Sequence, residues 1–192
     1  MRPTTILSIL GLTLVLAACS STSGTSISKE NMNPLTASRY GDELADTMAN
    51  MIIASGASIK PSMLDIINQQ IARGKTLASD ARATQARGMM GALIASGADT
   101  GGYGLYVDDA LYLSSDFFSK PGPSLHVYLT TVVDPRDAAF PDATAIDLGE
   151  IQNNYGAQQY PVPHQEKPEL LRTLVLWDTA VHRLYGFAQL SK

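Results

Sequence analysis

Two apolar segments near the C-terminus, separated by a short turn, constrain the fold more than any other part of the sequence. Residues 174–177 (LVLW) form an unbroken apolar run that Asp178 closes, and residues 184–190 (LYGFAQL) form a second run. A run that is apolar on both faces is typical of a central strand with material packed above and below it. The pair therefore predicts a layered core, and the residues from about Gly88 onward are the material that covers it.

Segments with a strand-like pattern follow one another along the C-terminal half, and turn residues separate them. Residues 124–133 largely alternate apolar and polar side chains, as expected for a strand with one covered face. Asp108-Asp109 lies between two apolar segments and predicts a compact hairpin. Short strands at this spacing predict an antiparallel β-sandwich over residues 88–192. The other predicted strands cover residues 88–95, 104–107, 110–113, 145–151 and 158–162.

Residues 33–87 have helical periodicity instead. Asn33 followed by Pro34 is typical of a helix start, and Ser55 with Gly56 ends the pattern. The predicted buried stripe of this first helix comprises Tyr40, Leu44, Met48 and Met51 or Ile52.

A second helix is predicted from Pro61 to Gly74, and a third, rich in alanine, follows it up to Arg87. Helices of this length are marginal on their own in water, so they need a surface to pack against. The chain is therefore predicted to be α+β, with a helical region over residues 33–87 and an antiparallel β-sandwich over residues 88–192. The predicted buried side of the second helix carries Met63, Ile66, Ile67 and Ile71.

Residues 1–19 have the pattern of a bacterial lipoprotein signal peptide. Arg2 precedes an apolar stretch, and Leu16-Ala17-Ala18-Cys19 is a lipobox in which small residues let a peptidase reach the bond before the cysteine. The thiol of Cys19 is the predicted lipidation site, and its acyl chains would hold the protein on a membrane. An ordinary secretory signal in which Cys19 is incidental is the alternative.

The residues after the lipobox predict where the protein is held. Residues 20–32 are rich in Ser, Thr and Gly and predict a flexible tether. By resemblance to the lipoproteins of Gram-negative bacteria, Ser20 after the anchor favours export onward to the outer membrane, because the residue at this position is not an aspartate. The predicted location is therefore the bacterial envelope, at the outer membrane and facing the periplasm.

The cysteine count and the net charge argue against thiol chemistry and against nucleic-acid binding. Cys19 is the single cysteine, so an acylated mature chain has neither a disulfide nor a free thiol. The formal net charge is −4 and no basic run is present, so nucleic acid is not a predicted partner. The predicted partners are the membrane, through the anchor, and an envelope protein or glycan.

The polar residues of the sequence contain no recognisable catalytic or metal-ligating set. His126, His164 and His182 form no H-x-H or H-x3-H pair, so neither a metal nor another cofactor is predicted. No G-x-S-x-G motif is present, and no catalytic residue is assigned. Trp177, Asp178 and His182 surround one turn and are the candidate functional cleft. Asp178 and His182 are open to two interpretations, an electrostatic pair and simple stabilisation of the turn.

Tyrosines along the predicted strands form a candidate binding surface. Aromatic side chains on one sheet face present a rigid surface to a protein or a sugar. By strand alternation, about half of them belong to the core. The set comprises Tyr103, Tyr106, Tyr112, Tyr128, Tyr155, Tyr160 and Tyr185.

A series of short motifs in the last hundred residues, in this order, resembles the DM13 domain family. The series consists of Asp116-Phe117-Phe118, GPSLHVYL at 122–129, IDLG at 146–149, NYG at 154–156, YPVP at 160–163, LVLW at 174–177 and YGFAQL at 185–190. The resemblance does not extend to the helical region before Gly88.

The resemblance implies a compact β-sandwich of a kind found in secreted and envelope proteins. It also implies a role in electron transfer, which has been suggested for the family because a cysteine directly follows the tryptophan. Asp178 stands at that position after Trp177 here, and a carboxylate cannot cycle between thiol and disulfide.

Two functional hypotheses remain. The first is a lipid-anchored, non-catalytic envelope module that binds a protein or another envelope component through loops and exposed tyrosines. The second is a redox or electron-transfer protein that uses a bound cofactor in place of the missing thiol. No set of residues supports an enzyme, and fold alone does not supply a function.

Overall fold

The computed structural model describes residues 32–192. The predicted signal peptide with Cys19, and all of the predicted tether except Met32, lie outside the described residues. The described chain begins with two long helices, α1 (Pro34–Ser55) and α2 (Pro61–Arg87), and continues in short strands that pair antiparallel. This arrangement confirms the predicted α+β class.

Asn33 starts α1 and also connects it to the sheets. Its Oδ1 accepts a hydrogen bond from the main-chain N–H of Leu35 at 3.0 Å, which is the helix cap that the sequence predicts. Its Nδ2 donates to the carbonyl of Leu113 at 2.6 Å, and the side chain is almost fully buried. One residue therefore begins the helix and fixes its position on the β-sandwich.

The predicted break at Gly74 is wrong, because α2 runs through it without interruption. Gly74 lies at the crossing of the two helices, where an added Cβ would be 2.6 Å from the carbonyl oxygen of Gly41. An added Cβ on Gly41 would in turn lie 2.5 Å from the carbonyl oxygen of Gly74. Both glycines permit a close helix contact, so Gly74 has a packing role and does not end the helix.

The predicted buried stripes of large side chains are also largely wrong. Only Ile67 of the second predicted stripe is fully buried, whereas Met63 and Ile66 are 51% and 59% exposed. In the first, Tyr40 and Met51 are more than 40% exposed. The helices approach so closely that only small side chains fit between them, and large ones are displaced to the flanks. The small residues buried in this contact are Ala37, Gly41, Ala45, Gly74, Ala78 and Ala81.

Eleven short strands follow the helices in the described part of the chain and form two larger sheets and one small one. The first sheet has the order β1-β4-β5-β9, the second has the order β2-β11-β10-β7-β8, and β3 pairs with β6. The strands are β1 (Met89–Ala92), β2 (Ile94–Ala95), β3 (Thr100–Gly101), β4 (Tyr103–Val107), β5 (Ala110–Leu113), β6 (Phe118–Ser119), β7 (Leu125–Thr130), β8 (Ile146–Glu150), β9 (Gln158–Pro161), β10 (Thr173–Asp178) and β11 (Arg183–Gln189).

The two apolar segments near the C-terminus are neighbouring central strands of the second sheet. β10 pairs with β11 on one side and with β7 on the other. Leu174 and Leu176 are fully buried on the side that faces the first sheet, and Val175 is fully buried on the opposite side. Burial on both faces is what the unbroken apolar run predicts.

The sequence analysis treats residues 88–95 as one strand, but the structure divides them between the two sheets. β1 pairs with β4 of the first sheet, and β2 pairs with β11 of the second. Leu93 lies between them, buried at the point where the chain bends from one layer to the other. The chain thus closes one edge of the sandwich by changing sheets.

The predicted hairpin at Asp108-Asp109 is confirmed, because these residues join β4 to β5. Both have positive φ angles, 51° and 55°, as a two-residue turn that matches the twist of the strands requires. Arg87 at the end of α2 forms an ion pair with Asp108 at 2.6 Å. The helical hairpin is therefore held to the sandwich at its base.

Candidate functional site

The structure places the three residues of the predicted cleft in different environments. Trp177 and Asp178 are adjacent on β10 and point to opposite faces, since successive side chains on a strand alternate. Trp177 is partly exposed on the outer face of the second sheet, and Asp178 is fully buried. His182 is exposed in the turn before β11, with a φ angle of 50°.

Asp178 stabilises the turn between β10 and β11. Its Oδ1 accepts hydrogen bonds from the main-chain N–H groups of Ala180 at 3.0 Å and Val181 at 3.2 Å. Its Oδ2 accepts a longer one, at 3.4 Å, from the N–H of Ser124 on the neighbouring segment. A carboxylate that accepts from several main-chain donors in the interior is a structural group. This arrangement matches the turn-stabilising interpretation of Asp178.

Trp177 belongs to an aromatic cluster on the outer face of the second sheet. It lies directly across from His126 in the β7-β10 pair. The ring of Phe140 is centred 5.2 Å from that of Trp177 and 5.3 Å from that of Tyr128, the latter pair edge to face. The rings of Tyr128 and His126 are stacked 6.2 Å apart. We call these four residues the outer-face cluster.

Phe140 comes from the loop over residues 131–145, which folds across the outer face of the sheet. The loop is held at the end of β7, where Thr130 Oγ1 donates to Asp142 Oδ2 at 2.6 Å. Arg136 lies 5.0 Å from the centre of the Phe187 ring, and its ion pair with Asp134 lowers the pKa of that carboxyl to about 2. Phe140 was not among the predicted site residues, and it is the one aromatic residue of this loop.

The carboxylate of Asp147 on the edge strand β8 supplies the charge of the outer-face cluster. Both of its oxygens lie 3.0 Å from His126 Nδ1, and the N–H of Gly149 donates to Oδ1 at 2.8 Å. Burial opposes ionisation of Asp147, but the hydrogen bonds from Gly149, His126 and Tyr128 outweigh it and lower the pKa of this carboxyl. Asp147 was not among the predicted site residues, because only the register of β8 against β7 brings its carboxylate to His126.

Burial and the neighbouring Asp147 carboxylate together raise the pKa of the Tyr128 hydroxyl to about 12. The protonated phenol is therefore favoured in the folded state. Since the folded pKa exceeds the value of about 10 for an unfolded tyrosine, this contribution to stability is complete below pH 10 and is lost as the pH rises toward 12.

We expect Tyr128→Phe to remove one late step from the alkaline absorbance titration of the tyrosines. Tyr160, whose pKa burial also raises to about 12, supplies the matched control, because Tyr160→Phe removes a different late step. The measurement is the phenolate absorbance between pH 9 and 13. If Tyr128→Phe instead removed a step near pH 10, Tyr128 would not be held protonated by its surroundings.

The predicted tyrosine surface is divided by the fold between core and solvent. Tyr155 is 66% exposed and Tyr103 is 45% exposed, and Tyr112 is partly buried. The others, Tyr106, Tyr128, Tyr160 and Tyr185, are buried.

Tyr155 and Phe118, which is 37% exposed, are two exposed aromatic residues that lie opposite each other and are called the aromatic pair below. The two residues are partners in an isolated β-bridge. Ser119 N–H donates to the carbonyl of Asn154, and Gly156 N–H donates to the carbonyl of Phe117, both at 2.9 Å. These main-chain bonds fix the turn that carries Tyr155 against the strand that carries Phe118.

The three histidines lie in separate places, as their spacing in the sequence predicts. His126 is in the outer-face cluster, His164 bonds to Asp109 at 2.8 Å beside the β4-β5 turn, and His182 is in the turn after β10. Within residues 32–192, no group of three or more His, Cys, Asp or Glu side chains could hold a metal ion.

Taken together, fold and site define an α+β protein in which a helical hairpin adjoins a two-sheet antiparallel sandwich with aromatic groups on its surface. Residues 98–190 match the family model described as Electron transfer DM13, so the C-terminal half of the chain is a DM13 domain. The match begins just before β3 and ends after β11, which leaves the helical hairpin, β1 and β2 outside it. Comparison with curated proteins and with solved structures gave no match.

Proposed function

We propose that this protein is a lipid-anchored module of the bacterial envelope whose DM13 domain binds a protein or glycan component without catalysing a reaction. The anchor rests on the lipobox before Cys19 and on the Ser- and Thr-rich tether that follows it. The binding role rests on one observation, the exposed aromatic pair of Phe118 and Tyr155 that main-chain hydrogen bonds hold in place.

Rigid aromatic side chains are effective in recognition for a physical reason. They offer a large apolar area, and they lose little conformational freedom on binding because only two side-chain torsions change. The turn at Asn153 further restricts Tyr155, since Asn153 Oδ1 accepts from the Tyr155 N–H at 3.2 Å. A ligand that packs on this pair therefore meets a surface that is already ordered.

The environment of Asp178 supports a role that does not depend on thiol chemistry. The residue stands after Trp177, where the family has the cysteine on which electron transfer was suggested. Its Oδ1 accepts from the N–H groups of Ala180 and Val181 in the following turn, and its side chain is fully buried. For this position to reduce or oxidise a partner, residue 178 would have to be a cysteine and would have to be accessible from the surface.

The binding role can be tested with two variants of the full-length protein, extracted from its own membrane in detergent. We expect Phe118→Ser with Tyr155→Ser to lower capture of envelope protein or glycan by about tenfold or more, since losing ~1.4 kcal/mol from a central aromatic contact has that effect. Val133→Ser is the matched control, because Val133 is an exposed apolar residue on a different loop. Equal capture by both variants would contradict a binding role for the aromatic pair.

A second candidate is the redox role with a bound cofactor, and the outer-face cluster favours it. Trp177, Phe140, Tyr128 and His126 form a continuous series of rings with neighbouring centres 5.2–6.2 Å apart. Such a series would connect the partly exposed tryptophan to the His126-Asp147 pair at the edge of the sheet. Visible absorbance and elemental analysis of the protein purified from its own envelope separate the two candidates, since a colourless, metal-free preparation would end the redox reading.

A further inference from the structure

The helical hairpin is divided along its axis into a half rich in charged residues and a half with few of them. The charged half adjoins the sandwich, where Arg82 pairs with Asp42 and Arg87 pairs with Asp108. At the other end, residues 47–67 contain only two charged residues, Lys60 and Asp65. We call this sparsely charged end, residues 47–67, the hairpin tip.

The hairpin tip exposes five large apolar side chains. Ile53 is 78% exposed, which is more than any other large apolar side chain among the described residues. The other exposed large side chains of the tip are Met51 (43%), Met63 (51%), Leu64 (36%) and Ile66 (59%). Apolar groups concentrated in one place at this exposure indicate a surface that is covered by something else in the working protein.

The arrangement of these side chains favours a bilayer over a second copy of the chain. Met51 and Ile53 are two residues apart in α1 and therefore point about 200° apart around the helix axis. Ile52, between them, is partly buried. Another protein helix would cover one side of the tip and leave the other in water. A lipid layer covers all sides of a tip that enters it.

The chain before the described residues is long enough to bring the tip to the membrane that holds the anchor. α1 has 22 residues, so at about 1.5 Å per residue the tip lies roughly 33 Å from Asn33. Residues 20–32 can extend to about 3.3 Å per residue, or roughly 43 Å. The hairpin can therefore turn its tip toward the same bilayer as Cys19.

We propose that the hairpin tip inserts into the interfacial layer of the bilayer and gives the protein a second membrane contact beside the lipid. The inference rests on the proposed anchor at Cys19. Within residues 32–192, neither helix combines the length and the apolar character that crossing a membrane requires, so the contact is a shallow one. Two contacts would orient the DM13 domain relative to the membrane, where a tether alone would let it rotate.

The test uses the full-length protein reconstituted in phosphatidylethanolamine–phosphatidylglycerol vesicles. An acylated Cys19 has no thiol, so Ile53→Cys provides the only site for an environment-sensitive fluorophore. Val133→Cys is the matched control, because Val133 is an exposed apolar residue on the sandwich, 54% accessible. Lipids with a nitroxide on the acyl chain quench fluorophores that lie within the bilayer.

We expect nitroxide lipids to reduce emission from position 53 by about twofold or more, since groups on an inserted apolar surface lie about 5–10 Å below the headgroup boundary. Emission from position 133 should stay unchanged. Absence of quenching at position 53 in vesicle-bound protein would overturn the inference, as would equal quenching at both positions. Cross-linking between two copies through position 53, without quenching, would assign the tip to a dimer and also overturn it.

Labelling of the unsubstituted protein reports the anchor separately. If wild-type protein takes up the fluorophore, Cys19 carries a free thiol and the proposed anchor is wrong. The comparison of positions 53 and 133 is then repeated in a Cys19→Ser background, where the tip must bind vesicles without an acyl chain. Failure of the anchor and failure of the tip contact are thus distinct results.

Discussion

Asp178→Ala is expected to lower the free energy of unfolding by about 3 kcal/mol, because it removes the buried carboxylate that accepts three main-chain hydrogen bonds at the turn between β10 and β11. The N–H groups of Ala180 and Val181 bond to Asp178 Oδ1, and the N–H of Ser124 approaches Oδ2. Asp178 itself is fully buried at the end of a central strand, so water cannot replace the lost oxygens without opening the turn. Chemical denaturation followed by circular dichroism measures the change.

Two controls separate the hydrogen bonds from the charge. Asp178→Asn keeps one side-chain oxygen for the turn and should lose less stability than alanine does. Glu166→Ala removes an exposed carboxylate and should change the free energy of unfolding by less than about 0.5 kcal/mol. A loss for Asp178→Ala no larger than that of Glu166→Ala would show that the turn does not depend on the carboxylate.

The second large effect is expected at the helix crossing, where Gly41→Val should cost about 3 kcal/mol. An added Cβ on Gly41 would lie 2.5 Å from the carbonyl oxygen of Gly74 and 2.8 Å from the main-chain nitrogen of Ala78. Both neighbours are backbone atoms of α2, so the contact cannot be relieved by rotating a side chain. The helices must separate, and their small buried side chains then lose their contacts. Loss of helical circular dichroism at lower denaturant concentration checks this.

Two further substitutions in α1 test whether the close helix contact at Gly41 is the cause of this loss. Gly41→Ala would gain about 1 kcal/mol from helix propensity alone, yet we expect it to destabilise the protein because its Cβ cannot fit at the crossing. Asn50→Val is the control for Gly41→Val, because it introduces valine at an exposed position of α1. It should change the free energy of unfolding by less than about 0.5 kcal/mol. A stabilising Gly41→Ala would mean that the two helices are farther apart than described.

Where a feature depends on neighbouring residues, the sequence predicted it well. Asn33 and Pro34 start α1, Asp108-Asp109 form the β4-β5 turn, and the apolar run in residues 174–177 is buried on both faces. These features depend on side chains a few positions apart, so the periodicity and turn preferences of a short segment are enough to predict them. The order of the DM13 motifs likewise predicted the domain that the family model matches over residues 98–190.

Features that depend on distant contacts were missed or misassigned. A glycine such as Gly74 is typical of a helix end. Its role here is to allow close contact with Gly41 on the other helix, which the local sequence does not show. Phe140 and Asp147 have no distinctive neighbours in the sequence, and only loop folding and strand register bring them to Tyr128. The tip residues Met63 and Ile66 have the periodicity of a core, but the α1-α2 contact is too narrow to admit them.

The amino-acid sequence alone specified the α+β class, the central strand pair and the family of the C-terminal half. The tertiary structure decided which polar and aromatic groups meet, burying Asp178 at the end of β10 and placing Trp177 beside His126 on the outer face. Local pattern encodes which face of a strand or helix is apolar. What covers that face depends on the distance between elements and on their register, and both are set only when the whole chain packs.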